Sequence, residues 1–245
     1  MIKSKGYLIA LVFLSLIIIA CNSVDKPGGK TGKEKITIQK KFNQSGKLIA
    51  EVSLKDGVKH GPTTNYYENG KVHSVVNFED GKQEGETIWY YENGKPYQVT
   101  PFINGQEHGL QKKYYQSGKL LAEVPYINGR QQPGMKEFKE TGELISDYPE
   151  IVFEKPLKSD VPGRFMLKMH MSDNSREVAF EQKVINSNGD TIMAKVPTSE
   201  GIGEIPFYVD KGKTVVAQIY IQAKTRTRLK NIYITENQYL VKIKN

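Results

Sequence analysis

The chain carries a single cysteine in 245 residues, Cys21, so no intramolecular disulfide can form. Motifs that carry chemistry are also missing. Its glycines stand in turn-like pairs and open no helix, which excludes a glycine-rich phosphate loop. No Gly-x-Ser-x-Gly nucleophile elbow occurs. Carboxylates are plentiful, yet none is set in an apolar context that would tune it as an acid. Histidine is scarce, with four in all. His60 and His108 occupy equivalent positions with Glu84 between them, but they lie two hairpins apart, whereas zinc draws its ligands to within about 2.0–2.2 Å. His73 and His170 fall among polar residues and read as solvated. The expectation is a protein with no catalytic residues, no metal and no cofactor. A hydrolase is the outside alternative, and it would need a buried acid–base pair.

What the chain has instead is periodicity. Gly46, Gly70, Gly94, Gly118 and Gly142 stand 24 residues apart, and Gly57, Gly81, Gly105 and Gly129 repeat the same step. Phe42, Tyr66, Tyr90, Tyr114 and Phe138 follow it too. A period in the twenties marks an array of small units that become stable by stacking on their neighbours.

The first 20 residues read as an export signal: Lys3 and Lys5, an apolar stretch from Tyr7 to Ile19, then Ala20. The stretch is too short for a comfortable membrane span. Cys21 directly after Ala20 resembles the bacterial lipobox, which implies lipidation of that cysteine and a chain anchored to a membrane without crossing it. An ordinary secreted protein with a chance thiol is the alternative. Residues 22–35, NSVDKPGGKTGKEK, are too polar to fold alone and read as a tether of at most about 45–50 Å. Without Lys3 and Lys5 the charge is +6, 33 basic against 27 acidic residues. That charge is spread along the chain, and with an envelope location it argues against nucleic acid.

Each unit shows two turn signals separated by alternating residues. Asn69-Gly70 and Asn93-Gly94, within Tyr-Tyr-Glu-Asn-Gly-Lys, predict type I′ hairpin turns, and Ser117-Gly118 is their variant. Asp56-Gly57, Asp80-Gly81, Asn104-Gly105 and Asn128-Gly129 predict a second hairpin in each unit. Between them Leu48, Ala50, Val52 and Leu54, then Val72, Ser74, Val76 and Phe78, then Leu120, Ala122, Val124 and Tyr126 share one face, leaving Glu51, His73, Asn77 and Glu123 on the other. Pro96 and Pro101 predict a kinked or partly paired strand in the third copy. Pro133 and one extra residue before Gly134 predict a bulge or the end of the ladder.

The recurring YYENGK, followed by DGK or NGQ and then EG or HG, resembles the MORN-repeat variant of bacterial proteins, over Phe42 to Tyr148. That resemblance implies an elongated, twisted sheet of hairpins that makes contact with proteins or membranes, and no catalytic residues. Some members carry an antitoxin-component label, which suits an exported lipoprotein poorly.

Beyond Tyr148 the period vanishes. From Pro149 to Asn245, alternating runs such as Phe165, Leu167, Met169 and Met171, or Val215, Ala217, Ile219 and Ile221, are separated by turn clusters. They predict five to seven strands in a small β-sandwich-like domain of immunoglobulin-like type, without that fold's tryptophan and disulfide landmarks. The fold expected is all-β: residues 36–148 as an elongated meander of stacked hairpin repeats, then 149–245 as the sandwich.

Two groups are candidate binding surfaces. Tyr67, Tyr91 and Tyr115, with Trp89, form either an exposed aromatic ladder for sugar rings and binding anchors or ordinary cross-strand packing. Lys224, Arg226, Arg228 and Lys230 alternate, so an extended strand would put all four cations on one face, able to grip phosphate, lipopolysaccharide or an acidic protein. A solvated, protective edge is the alternative. A parity switch from Ala223 to Ile232 and Ile234 predicts a bend inside this stretch. The function expected is non-catalytic: a lipid-anchored module of the bacterial envelope, most simply at the outer membrane, that holds another envelope protein. A glycan or lipopolysaccharide binder is the alternative.

Overall fold

The computed structural model describes residues 35–185 and 188–245; the export segment, Cys21 and the tether up to Glu34 lie outside them. Every regular element described is a strand. The array comprises β1 (Ile36–Phe42), β2 (Leu48–Lys55), β3 (Val58–Tyr66), β4 (Val72–Glu79), β5 (Lys82–Gln83), β6 (Gly85–Tyr90) and β7 (Pro96–Ile103). It continues through β8 (Gln106–Glu107), β9 (Gly109–Tyr114), β10 (Leu120–Ile127), β11 (Arg130–Gln131), β12 (Lys136–Phe138) and β13 (Leu144–Ile145). These thirteen strands form one antiparallel sheet whose path is β1-β2-β3-β4-β6-β7-β9-β10-β12-β13, with the short β5, β8 and β11 each paired only to the strand before it. A meander of this kind follows from two short turns per unit, because no connection is long enough to cross over.

The two turn types differ. Asp56 and Gly57 both have positive φ, 49° and 85°, as do Asp80-Gly81, Asn104-Gly105 and Asn128-Gly129, the signature of a type I′ turn. At Tyr67 to Gly70 only the glycine is left-handed, at 81°, and its N–H donates to Tyr67 O at 2.9 Å. This is a type I turn followed by a left-handed glycine, which corrects the type I′ expectation at Asn69 and Asn93. The same turn forms at Gly118 and Gly142, where Ser117 and Thr141 stand in place of the asparagine; in the asparagine copies Asn69 Oδ1 also accepts from Lys71 N–H at 3.0 Å, and Asn93 Oδ1 from Lys95 N–H at 2.9 Å. That side chain adds one bond to a loop whose backbone closes in the same way without it.

The predicted faces hold. Ala50, Val52, Ser74, Val76, Ala122 and Val124 are buried at the strand centres, while their larger neighbours toward the ends are half-buried. In the third copy β7 runs on through both prolines, but it is only partly paired on its β9 side, at Gln98–Lys113 and Val99–Lys112. β7 pairs with β6 over six positions, and Pro101 lies opposite Glu86. Proline is tolerated here because the ladder is already interrupted on its other side: Pro101 O accepts from His108 N–H beside the left-handed Gly109. A Cβ on Gly109 would meet the Pro101 ring at 3.1 Å. At Pro133 the break widens, and β12 resumes only at Lys136.

The second part comprises β14 (Ile151–Phe153), β15 (Leu157–Lys158), β16 (Arg164–Met171), β17 (Val178–Ile185) and β18 (Thr191–Lys195). β19 (Thr198–Ser199), β20 (Ile202–Tyr208), β21 (Thr214–Arg226) and β22 (Ile232–Lys244) complete it. One sheet runs β14-β16-β20-β19 with β15 beside β16, and the other runs β18-β17-β21-β22. Its seven main strands follow immunoglobulin-like connectivity, with the first, second and fifth strands in one sheet and the third, sixth and seventh in the other. The fourth strand, β18, sits beside the third. Phe165, Leu167, Met169, Phe180, Ile219, Ile221, Val241 and Ile243 meet between the sheets in one apolar core. The last hairpin is longer than expected, with 13 residues in each strand.

Candidate functional site

In the first tyrosine pair the two side chains reach in opposite directions along the array, and the second tyrosine of every pair reaches forward. Tyr66 reaches back, its hydroxyl donating to Glu51 Oε2 at 2.8 Å. That bond, with Lys40 close by, holds the Glu51 carboxyl below the usual range. Tyr67 reaches forward and donates to Tyr90 O at 2.5 Å, Tyr91 to Tyr114 O at 2.7 Å, and Tyr115 to Phe138 O at 2.7 Å. Burial pushes these three phenols above their ordinary values. The tyrosine row is thus a set of staples from each repeat to the next, half-buried and with every hydroxyl occupied.

Other residues of the motif do the same. Lys71 Nζ donates to Glu92 O at 2.7 Å and Lys95 Nζ to Ser117 O at 2.6 Å. At the opposite edge Gly81, Gly105 and Gly129 N–H donate to Lys59, Gln83 and Glu107 O. The row His60, Glu84 and His108 is drawn apart in this way. His60 Nδ1 lies 3.5 Å from the Asp80 carboxylate, Glu84 Oε2 accepts from Asn104 N–H at 2.8 Å, and His108 Nδ1 lies 3.3 Å from Asn128 Oδ1. Among the described residues no cluster of metal-ligating side chains forms.

His73 differs from its expectation. A bulge at Asn65 and Tyr66 disturbs the alternation there, and the His73 ring lies 4.5 Å from that of Tyr67 and 5.3 Å from that of Trp89. Instead of being simply solvated, it is part of a half-buried aromatic group.

The four cations do not share one face. β21 ends at Arg226, and the chain reverses through Thr227 to Asn231, where Thr227 N–H donates to Asn231 O at 2.9 Å and Lys230 has φ +63°. The predicted bend is therefore present, and it takes Arg228 and Lys230 off the strand that carries Lys224 and Arg226. Lys224 pairs with Glu181 at 2.7 Å, Lys230 is exposed at the turn, and only Arg226 and Arg228 line a common cleft.

What holds that hairpin is a buried network absent from the sequence reading. Glu137, 1% exposed on β12, accepts through Oε1 from Thr227 Oγ1 at 2.7 Å and from Asn231 Nδ2 at 2.6 Å. Lys113 Nζ donates to Asn231 Oδ1 at 2.7 Å, and burial lowers the Lys113 ammonium below its ordinary pKa. Tyr148 donates to Glu137 Oε2 at 3.4 Å and stacks on Tyr233 with ring centres 4.5 Å apart. Burial, then the Glu137 charge, drives the Tyr148 phenol far above its usual value. The only signal for this joint was a glutamate at a position that alternation places in the core. Beside it opens a cleft of about 740 Å³ between the last turns of the array and the β21–β22 hairpin.

A family model described as MORN repeat variant matches residues 59–80, 83–104 and 107–128. No curated protein matches the chain. The matched segments are the units joined by the Tyr67 and Tyr91 staples. Three consecutive units of this array thus match the MORN repeat variant.

Proposed function

We propose that the protein is a non-catalytic binding or scaffolding module, lipid-anchored at Cys21 in the bacterial cell envelope, whose hairpin array holds another envelope protein. The observation that carries this reading is the array itself. Three MORN repeats lie within an open thirteen-stranded sheet, and the motif side chains are committed to joining one unit to the next. Such a sheet offers a long, regular surface and is of a generally non-enzymatic kind. The anchor is supported by Lys3, Lys5, the apolar run and the position of Cys21.

Photo-crosslinking residues placed at the exposed Glu86 and Lys112 of the full chain, against controls at Gln218 and Gln238 of the sandwich, test the reading in intact cells. One protein captured from both array positions and from neither control is expected. Capture from no array position overturns the array as the binding element. A glycan that binds the full chain and is lost on Trp89→Ala would favour the carbohydrate alternative. Labelling with a palmitate analogue should be lost in Cys21→Ser; retained labelling overturns the anchor.

A further inference from the structure

We infer that the cleft where the array ends against the sandwich is a docking site for an extended acidic peptide. The inference deepens the binding-module reading and rests on it.

Three features of the cleft converge. One wall is a sheet edge: β13 is the last strand of the thirteen and has β12 on one side only. Lys139 N–H donates to Glu143 O at 2.8 Å, and β13 pairs Ile145 with Glu137. Antiparallel alternation then turns the Ile145 backbone toward β12 and those of Leu144 and Ser146 outward. Both of these residues line the cleft. Outward amides on a short, half-exposed edge accept a further strand, which is the β-augmentation mode of peptide recognition.

The second feature is charge. Arg226 and Arg228 face the cleft from the β21–β22 hairpin, and among the described residues neither joins an ion pair. The carboxylates around them are mostly engaged. Glu143 pairs with Lys139 at 2.9 Å, Asp173 accepts from Ser175, and Glu137 is held by Thr227 and Asn231. Asp147 remains, against two guanidinium groups whose fork geometry matches carboxylates. The third feature is rigidity. The Glu137 network fixes one wall to the other, so a ligand would not have to order the site, and the volume falls within the range of ligand clefts. A phosphate group would satisfy the arginines but leave the strand edge unused, which is why a peptide fits better.

Fluorescence anisotropy with the full chain in detergent micelles tests this at 0.15 M salt. The probe is a fluorescein-labelled octapeptide of alternating valine and glutamate, and the control replaces glutamate with lysine. Saturable binding of the acidic peptide alone is expected, at least tenfold weaker in Arg226→Gln/Arg228→Gln and in Ser146→Pro, which removes an outward amide. Both arginines and Ser146 are exposed, so unchanged melting curves would show the fold intact. Affinity within twofold of the parent in either variant, equal binding of the lysine peptide, or displacement by inorganic phosphate or phosphatidylglycerol vesicles would each overturn the inference. If the peptide fails while crosslinking from Glu86 and Lys112 still captures one partner, this site falls and the array reading stands. Loss of both removes both.

Discussion

The array and the sandwich are both antiparallel β-structure, yet they are stabilised in opposite ways. In the sandwich, two sheets close over Phe180, Leu167, Met169 and Met171, each 1% exposed or less. In the array the most buried residues include Ser74 at 0%, Thr87 and Thr100 at 2%, and Gln111 at 4%. A single sheet cannot exclude water over large apolar side chains, so it buries small or hydrogen-bonded ones and relies on hydrogen bonds from rung to rung. Those bonds span 20 to 23 residues of sequence, the distance to the next repeat. The lesson is that the array is a local structure, extensible by copying, while the sandwich is one cooperative core. Binding surfaces are more easily lengthened in the former.

Four substitutions test this contrast. Phe180→Ala should cost about 3–5 kcal/mol and unfold the sandwich first, read as loss of amide-exchange protection in β16, β17 and β21 while β4 to β9 keep theirs. Simultaneous loss in both parts would show that the array depends on the sandwich core. Glu137→Ala strands Thr227, Asn231 and Lys113, and about 1–3 kcal/mol should be lost in denaturant unfolding. Exchange should then rise at Thr227 to Asn231, and protection unchanged there would refute the joint.

Gly94→Val tests the array by itself. The space around Gly94 is open, so the cost comes from its φ of +85°, about 1–3 kcal/mol for a β-branched residue. A melting curve equal to the parent's would mean the turn register is wrong. The smallest effect is expected of Tyr91→Phe, about 0.5–1.5 kcal/mol for one staple. Its pH dependence is more telling. Folding raises the phenols of Tyr67, Tyr91 and Tyr115, so their contribution is fully present below the unfolded value of about 10 and is lost as pH rises through the folded values. Alkaline titration should therefore loosen the array, and the triple phenylalanine variant should flatten that loss. An alkaline transition of unchanged steepness would show that the staples do not carry it.

Much of this fold was legible in the residues. The 24-residue glycine period placed the turns, the alternation of Leu48 to Leu54 and of Phe165 to Met171 placed the buried faces, and the switch between Ala223 and Ile232 placed the last hairpin. Local rules were enough because each depends on a residue's own backbone preference or on period-two geometry. Errors arose where a side chain's partner lies elsewhere. Asn69 and Asn93 could have been left-handed, but the backbone closes a type I turn from Tyr67 and Tyr91 to the following glycine, as it does in the copies with Ser117 and Thr141. Pro101 is harmless only because Gly109 has already interrupted the ladder beside it.

The sequence by itself determined the strands, the turn positions and the division between a repeating and a non-repeating part, since these follow from short-range sterics and the pattern of apolar residues. Only the tertiary structure decided what the functional candidates face. It tied the tyrosine hydroxyls to carbonyls one repeat away, paired Lys224 with Glu181, and brought Glu137 to Thr227 and Asn231 across 90 and 94 residues. Which groups meet over such distances is set by how the last rung of the array packs against the sandwich, and no local preference in the chain encodes that contact.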